Sequence, residues 1–210
     1  SFISYNWKAG GSGSSNTDGS INTTSTSANT TAGFSISTYT GSGSNATIGH
    51  GLGVVPEVVW VKKRADDAIG WCEYNAHNNT ADPETDYRII GSGGAFVDDA
   101  TVWQDTAPTS SVFSIGTASR VNDSGATDTY VAYCWASIPG YSKMGKYVGN
   151  ASAANGTFVY CGFRPAFILP INVASANTYV SDNTRRGFNP ENGSSFWDSN
   201  NVESATQVVD

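Results

Sequence analysis

The sequence has little of what helical and membrane-spanning proteins need. Only two Leu and one Met stand against 17 Val among its 210 residues, and β-branched residues favour strands over helices. Its apolar runs stay far below the roughly 18 residues that a membrane-spanning helix requires. The composition therefore excludes helical bundles and coiled coils, and it predicts no membrane span.

Charge is also scarce, and basic charge most of all. Charged residues make up 14% of the chain, and 11 Lys and Arg stand against 18 Asp and Glu, for a net charge of -7. Because phosphate binding requires a basic surface, nucleic acid is not an expected partner. The hydrophobic share of 39% is still enough for a packed core, which excludes a disordered polyelectrolyte.

Cysteine and histidine are few and do not have the spacing of a reactive or metal centre. Cys72, Cys134 and Cys161 stand among strand-forming aromatics without a Cys-x-x-Cys motif, so free thiols in or near sheet cores are expected, with one disulfide pair as the alternative. His50 and His77 have no second histidine at ligand or triad spacing. No catalytic residue is predicted, and the chain is expected not to be an enzyme.

Short apolar runs separated by Gly, Pro, Asn and Asp are typical of strands joined by turns. The segment 10–32 differs, because Ile21 is its only large apolar residue. It is predicted to be a Gly/Ser/Thr-rich connector without regular structure. The predicted strands lie at 34–39, 54–61, 87–90, 112–115, 130–136, 147–148, 158–161 and 167–171.

The chain repeats itself at a nearly constant offset, just over half of its own length. Phe34-Ser35 recurs as Tyr141-Ser142, and Gly53-Val54-Val55-Pro56 recurs as Gly162-Phe163-Arg164-Pro165. Each Pro heads an apolar run, a position that strands tolerate. The repeat predicts an all-β fold of two tandem, related, jelly-roll-like β-sandwich modules. The first copy is 33–139, and the second, incomplete copy is 140–210.

Residues 1–9 match the end of the first copy. Phe2-Ile3-Ser4-Tyr5-Asn6-Trp7-Lys8 has the pattern of Tyr130–Ala136, in which an aromatic, a β-branched and a small residue precede Tyr-x-Trp. No such segment occurs in the second copy. The hypothesis is that this strand completes the second copy through Ile3, Tyr5 and Trp7, within the chain or in a neighbouring subunit. The alternative is that neighbouring repeats lie outside this sequence.

Acidic residues supply one candidate binding site. Asp82, Glu84 and Asp86 alternate in a polar loop, where oxygen ligands could hold Ca²⁺. A plain solvated acidic turn is the alternative, and no other cofactor is expected.

Aromatic residues supply the other candidate site. Amphipathic rings beside polar turns can stack on sugars. Core filling in a fold short of Leu is the alternative. The candidate glycan contacts are Trp71, Tyr74, Trp103 and Trp197.

Four stretches carry a resemblance to a known family. They are Thr31–Gly41 with Gly49–Gly53 and Pro56, Thr106–Ser114, Tyr130–Trp135, and Gly140-Tyr141-Ser142-Lys143. Together they resemble repeated β-rich modules of virion and tail-fibre proteins of tailed phages, particularly marine and cyanobacterial ones. The family has no catalytic residues to carry over.

The resemblance implies a structural component of a phage virion, located on the particle surface. The expected partners are further copies of the chain, as a trimer or a strand-swapped oligomer, other virion proteins, and host-surface polysaccharide. Two alternatives remain open from the residues themselves. One is a secreted carbohydrate-binding module, and the other is an extracellular filament subunit that assembles by β-strand donation.

Overall fold

The structure, a computed structural model, describes residues 4–64, 68–78, 80–90, 94–125, 128–151, 155–173, 178–184 and 195–196. These residues form antiparallel sheets with two four-residue helices, so the predicted all-β fold is confirmed. Neither helix in this part of the chain is long and apolar enough to cross a membrane. The elements are β1 (Ser25–Asn29), β2 (Phe34–Thr40), β3 (Ala46–Gly49), β4 (Val58–Lys63), β5 (Trp71–Asn75), a 3₁₀ turn (Pro83–Thr85), β6 (Asp86–Ile90), β7 (Val97–Asp98), α1 (Ala100–Trp103), β8 (Val112–Ile115), α2 (Ser119–Asn122), β9 (Thr129–Trp135), β10 (Phe167–Ile168), β11 (Tyr179–Asp182) and β12 (Ser195–Phe196).

Seven strands form the main sheet in the order β1-β2-β9-β4-β5-β6-β7. β9 takes a central place because its residues alternate: Tyr130, Ala132 and Cys134 are buried in the core, while Tyr133 and Trp135 lie on the opposite face. β3 and β8 form a two-stranded sheet that covers the core together with α1 and α2. The result is a sandwich-like first half.

Buried aromatics and thiols fill this core. Tyr39 and Tyr130 stack with ring centroids 5.2 Å apart, and the Tyr39 hydroxyl donates to the carbonyl oxygen of Val121 at 2.7 Å. Cys72 and Cys134 are buried free thiols, as predicted. Burial raises the pKa of Cys134 to about 12, so this thiol stays protonated at neutral pH.

The prediction of no regular structure in the connector 10–32 is wrong for its last part. Ser25–Asn29 forms β1 and pairs with β2 along its whole length. Ser14 in turn bridges Thr26. A polar segment can join a sheet because the ladder bonds come from the backbone, and the Thr26 hydroxyl also lies 2.9 Å from that of Ser37.

The sheet of β10, β11 and β12 has the strand order and direction of β4, β5 and β6. Phe167 pairs with Asp182 in β10-β11, and Val58 pairs with Asn75 in β4-β5. Phe167 lies as far beyond Val58 as Pro165 lies beyond Pro56. The first strand is shifted by 109 residues, from 58 to 167, and the second by 107 residues, from 75 to 182. Both shifts occur among the sequence repeats, from Pro56 to Pro165 and from Phe34 to Tyr141.

The third strand continues the match. Val180 of β11 pairs with Ser195 of β12, and Glu73 of β5 pairs with Arg88 of β6. The shift from Glu73 to Val180 equals the shift from Arg88 to Ser195. The two hairpins therefore share their register from the second strand to the third.

The turn ahead of each hairpin also matches. Gly53 and Gly162 both have a left-handed backbone, with φ of 73° and 81°. Pro56 and Pro165 follow three residues later, and β4 and β10 each begin two residues after the Pro. Glycine serves here because residues with a Cβ rarely adopt this conformation.

The part of the second copy that precedes β10 differs from its counterpart. The predicted strands at 147–148 and 158–161 are wrong, because both segments lie outside any strand. Large apolar side chains are exposed along this stretch: Tyr141, Tyr147, Val148, Phe158 and Tyr160.

Candidate functional site

The outer surface of the main sheet carries a layer of aromatic rings, which we call the aromatic face: Phe34, Trp60, Trp71, Tyr133 and Trp135. The register places Trp60 opposite Tyr133 and Phe34 opposite Trp135, so these side chains share one side of the sheet. Ring centroids lie 4.8 Å apart for Trp60–Trp135 and 5.3 Å apart for Trp71–Tyr133. The rings therefore form one packed layer across β2, β9, β4 and β5.

The ring of Trp7 joins the aromatic face to the second sheet. Its centroid lies 6.3 Å from that of Phe34 and 6.0 Å from that of Trp135. It also lies 5.7 Å from Phe167 of β10, with the two planes at 89°. Edge-to-face contacts of this kind are favourable.

Tyr5 contacts the second sheet as well. Its ring lies 4.9 Å from that of Phe167, and its hydroxyl donates to Oδ2 of Asp182 at 2.8 Å. Ile3, the third residue predicted to complement a strand, lies outside the described residues. The structure thus brings Tyr5 and Trp7 to β10, although residues 4–10 are not assigned to a strand.

The chain that follows Trp7 is held against β1. Asn29 donates from Nδ2 to the carbonyl oxygen of Lys8 at 3.1 Å. Gly10 packs so closely on Ala28 that a Cβ at this position would collide with its carbonyl oxygen. These contacts hold Lys8 and Gly10 against β1, and residues 4–8 cross the aromatic face from this anchor.

A buried ion pair makes a second contact between the sheets. Arg88 donates from Nε to Oε2 of Glu73, and both side chains are buried. Arg88 also donates from Nη2 to Oγ1 of Thr178, next to β11, at 3.1 Å. Because an unpaired buried charge is costly, Glu73 and Arg88 depend on each other.

Glu57 joins two loops of the first copy. Its Oε1 lies 2.9 Å from Nε2 of His77, and its Oε2 accepts a hydrogen bond from the backbone N–H of Ser137 at 2.8 Å. Burial raises the pKa of Glu57, but the bonds from Ser137 and His77 outweigh that effect and lower the pKa below its ordinary value.

Lys63 forms another ionic cluster at the end of β4. Its Nζ lies 2.9 Å from Asp123 and 3.1 Å from Asp128. The hydrogen bond to Asp123 raises the pKa of Lys63, and the same bond lowers the pKa of Asp123. The cluster ties β4 to the segment that leads into β9.

His50 is buried in the first copy as a neutral side chain. Its Nδ1 accepts the backbone N–H of Leu52 at 3.2 Å, so its Nε2 carries the proton and donates to the carbonyl oxygen of Thr109 at 3.1 Å. Burial lowers the pKa of His50, more than the bond to Thr109 raises it. The ring holds together the segments after β3 and before β8.

Two of the predicted glycan contacts are corrected by the structure. Tyr74 and Trp103 are 4% and 2% exposed, and their rings pack together in the core, so they offer no surface to a sugar. Trp103 ends α1, whose N-terminus is capped by Asp99, and it belongs to the core cluster. Trp71 is half-buried on the aromatic face. Trp197 lies outside the described residues.

The three acidic residues do not form a ligand set. Asp82 precedes the 3₁₀ turn, Glu84 lies in it, and Asp86 begins β6, where its carboxylate accepts a hydrogen bond from Asn78 at 3.2 Å. Across the described ranges, no group of three or more His, Cys, Asp or Glu could hold a metal ion. The geometry therefore gives no support to the predicted Ca²⁺ site.

Sequence reasoning missed most of the aromatic face. The sequence patterns identify Phe34, Trp60, Tyr133 and Trp135 only as strand residues. The signal is present in β9, where large aromatics occupy both alternating sets of positions. A strand that is apolar on both sides must be covered on both sides.

Comparisons with known proteins add one assignment. No curated protein and no solved structure matches the chain. Residues 1–209 match the family described as Domain of unknown function (DUF7483). Because the match spans nearly the whole sequence, the chain belongs to this family.

Proposed function

We propose that the chain is a non-enzymatic structural component of a phage virion, a tail-fibre or surface element of two tandem β-sandwich modules of the jelly-roll type. The observation that carries the proposal is the repeated register of β4-β5-β6 in β10-β11-β12. Repetition of one module gives an extended protein in which each module has the same type of hydrophobic core. The resemblance to phage virion modules supplies the biological setting.

The ionisable side chains of the described residues support a structural role. Glu73 pairs with Arg88 in the interior, Glu57 binds a backbone N–H, and Lys63 bridges two aspartates. Each of these groups links segments of the fold. A catalytic centre instead requires a polar group directed at a substrate site.

The exposed stretch of the second copy supports assembly. Tyr141, Tyr147 and Phe158 are 62%, 57% and 87% exposed and follow one another closely along the chain. Large apolar side chains that are this exposed, over one stretch of the chain, favour burial against another molecule. The expected partners are further copies of the chain and other virion proteins.

Host-surface polysaccharide is a further proposed partner, through Trp71. Its half-buried ring packs against Trp60 and Tyr133, which would hold it in a fixed orientation for stacking on a sugar. Binding of the chain to a panel of surface polysaccharides should fall at least tenfold in Trp71→Ala. The exposed Val97→Ala should leave it unchanged. Equal binding by both variants would remove Trp71 from the proposal.

The proposal is tested on particles of the phage whose genome encodes the chain. Antibodies against the chain, with gold-labelled secondary antibody, should mark the tail or surface of purified particles in electron micrographs. Particles of an unrelated phage serve as the control. Absence of label, together with absence of the chain from denatured particle proteins, would overturn the virion assignment.

A further inference from the structure

The closing strand of the first copy has a counterpart at the other end of the chain. In the main sheet, β9 pairs with β4 in the register Val58↔Trp135 and Val59↔Cys134. β10 corresponds to β4 and is the outermost strand of its sheet in the described part of the chain. A strand that corresponds to β9 would add at that edge.

Residues 4–8 contact β10 through the side chains that this correspondence requires. Trp7 occupies the position of Trp135 in the shared sequence pattern, and Phe167 occupies the position of Val58. In the first copy Trp135 and Val58 are paired, and across the sheets the rings of Trp7 and Phe167 are 5.7 Å apart. Tyr5, the next residue on the same side of an extended segment, also reaches Phe167.

We propose that Ser4–Lys8 is the closing strand of the second copy and adds to β10 of the same chain as an antiparallel strand. The register would be Trp7↔Phe167, Asn6↔Ile168 and Tyr5↔Leu169. This inference rests on the proposed two-module organisation. It makes the second module discontinuous, with its last strand at the start of the chain.

The same chain is the favoured donor, because its segment is already tethered near the acceptor. The Lys8 carbonyl is bound by Asn29, and Trp7 lies on Phe34 and Trp135. A tether of this kind gives a local concentration on the order of millimolar, which a second copy does not reach in dilute solution.

The counterpart of β2 in the second copy does not form a strand. In the first copy β9 pairs on its other side with β2, where Phe34 and Tyr39 are buried. The corresponding residues Tyr141 and Tyr147 are exposed.

Disulfide trapping tests the register and the donor. In a Cys161→Ser background, Asn6→Cys with Ile168→Cys places two thiols directly opposite each other, within disulfide reach. The control is Ser4→Cys with Ile168→Cys, in which the thiols are two positions out of register. Oxidation in a glutathione buffer should convert most of the first variant, and little of the control, to a cross-linked monomer on a non-reducing gel.

The other results of this experiment all contradict the proposal. A cross-linked dimer would show that the strand comes from a second copy, as in a filament subunit. Equal cross-linking of both variants would show contact without register. No cross-linking of either would show that the segment is not on β10.

Hydrogen exchange of the unaltered chain separates this inference from the proposal it rests on. Protection of the amides of β10, β11 and residues 4–8 is the expected result. Protection of β10 and β11 with free exchange at 4–8 would overturn the closing strand and leave the second module in place. Free exchange at all three would overturn the second module.

Discussion

The two copies of the proposed module share a hairpin and differ in the strands that precede it. In the first copy, Phe34 and Tyr39 are 3% and 0% exposed. The core covers Tyr39 on the inner side of β2, and the rings of Trp135 and Trp7 cover Phe34 on the outer side. In the second, Tyr141 and Tyr147 are 62% and 57% exposed. The same type of sequence is core in one place and surface in the other, and the presence of a neighbouring strand makes the difference.

Truncation of the corresponding tyrosines should show the largest difference in stability between the two copies. Tyr39→Ala should lower the free energy of unfolding by about 3–5 kcal/mol, the cost of removing a large buried aromatic. Tyr147→Ala should change it by less than about 0.5 kcal/mol, as for an exposed residue. Urea denaturation followed by fluorescence measures both. Equal losses would show that the second copy is as closed as the first.

The contact between the copies is tested at Arg88. Arg88→Met should lower the free energy of unfolding by about 3 kcal/mol, because Glu73 would be left buried without its partner. Combining it with Glu73→Gln should recover part of the loss. Thr178→Val removes the hydrogen bond from Arg88 to the Thr178 hydroxyl and should cost about 1 kcal/mol. A double variant no more stable than Arg88→Met would contradict the dependence of the pair.

Truncation of Trp7 should lower the free energy of unfolding by less than truncation of a core residue and by more than truncation of an exposed one. Its ring is 38% exposed but contacts Phe34, Trp135 and Phe167. Trp7→Ala should therefore lower the free energy of unfolding by about 2 kcal/mol. The matched exposed variant is Tyr147→Ala, and thermal unfolding measures both. A loss as small as that of the control would mean that Trp7 does not join the copies.

The smallest expected effect is a pH dependence that belongs to the first copy alone. His50 corresponds to Val159 in the second copy, by the same shift that relates Gly53 to Gly162. Because burial lowers the pKa of His50 in the folded chain, the unfolded chain binds the proton first as the pH falls. The stability that His50 contributes is present above its ordinary pKa of 6.5 and is lost as the pH falls through 6.5 toward the lowered value.

His50→Gln tests this sign. The variant should be less stable than the parent at pH 8, and the gap in unfolding free energy should narrow at pH 5. A gap that widens toward acid would show that the folded chain favours the charged ring. The Leu52 N–H and Thr109 carbonyl bonds would then need a different assignment of the proton.

Much of the fold could be predicted because it depends on local alternation. Tyr130, Ala132 and Cys134 alternate with Tyr133 and Trp135, and this short apolar run predicts a strand at β9 whatever its neighbours are. Pro56 and Pro165 mark the two hairpins because Pro suits the entrance to a strand. The all-β class follows from the same features and from the dearth of Leu and Met.

The remainder depends on contacts distant in sequence. Ser25–Asn29 has no apolar pattern, and it becomes β1 because β2 offers backbone partners beside it. Trp71 and Trp103 both stand near polar turns, but one lies on the outer face and the other in the core. A nearby turn does not specify the direction of a ring, because Trp71 lies in a strand and Trp103 lies in a helix that packs on the core.

Side-chain alternation and turn residues, which lie within a few positions of each other, specify the β class, the range of the central strand β9 and the recurrence of one hairpin. Which aromatic rings are buried, and that Trp7 contacts both sheets, depends on contacts formed in the folded chain. Burial is a property of what lies opposite a residue, and Phe34 and Trp7 meet partners that lie far away along the chain, at Trp135 and Phe167.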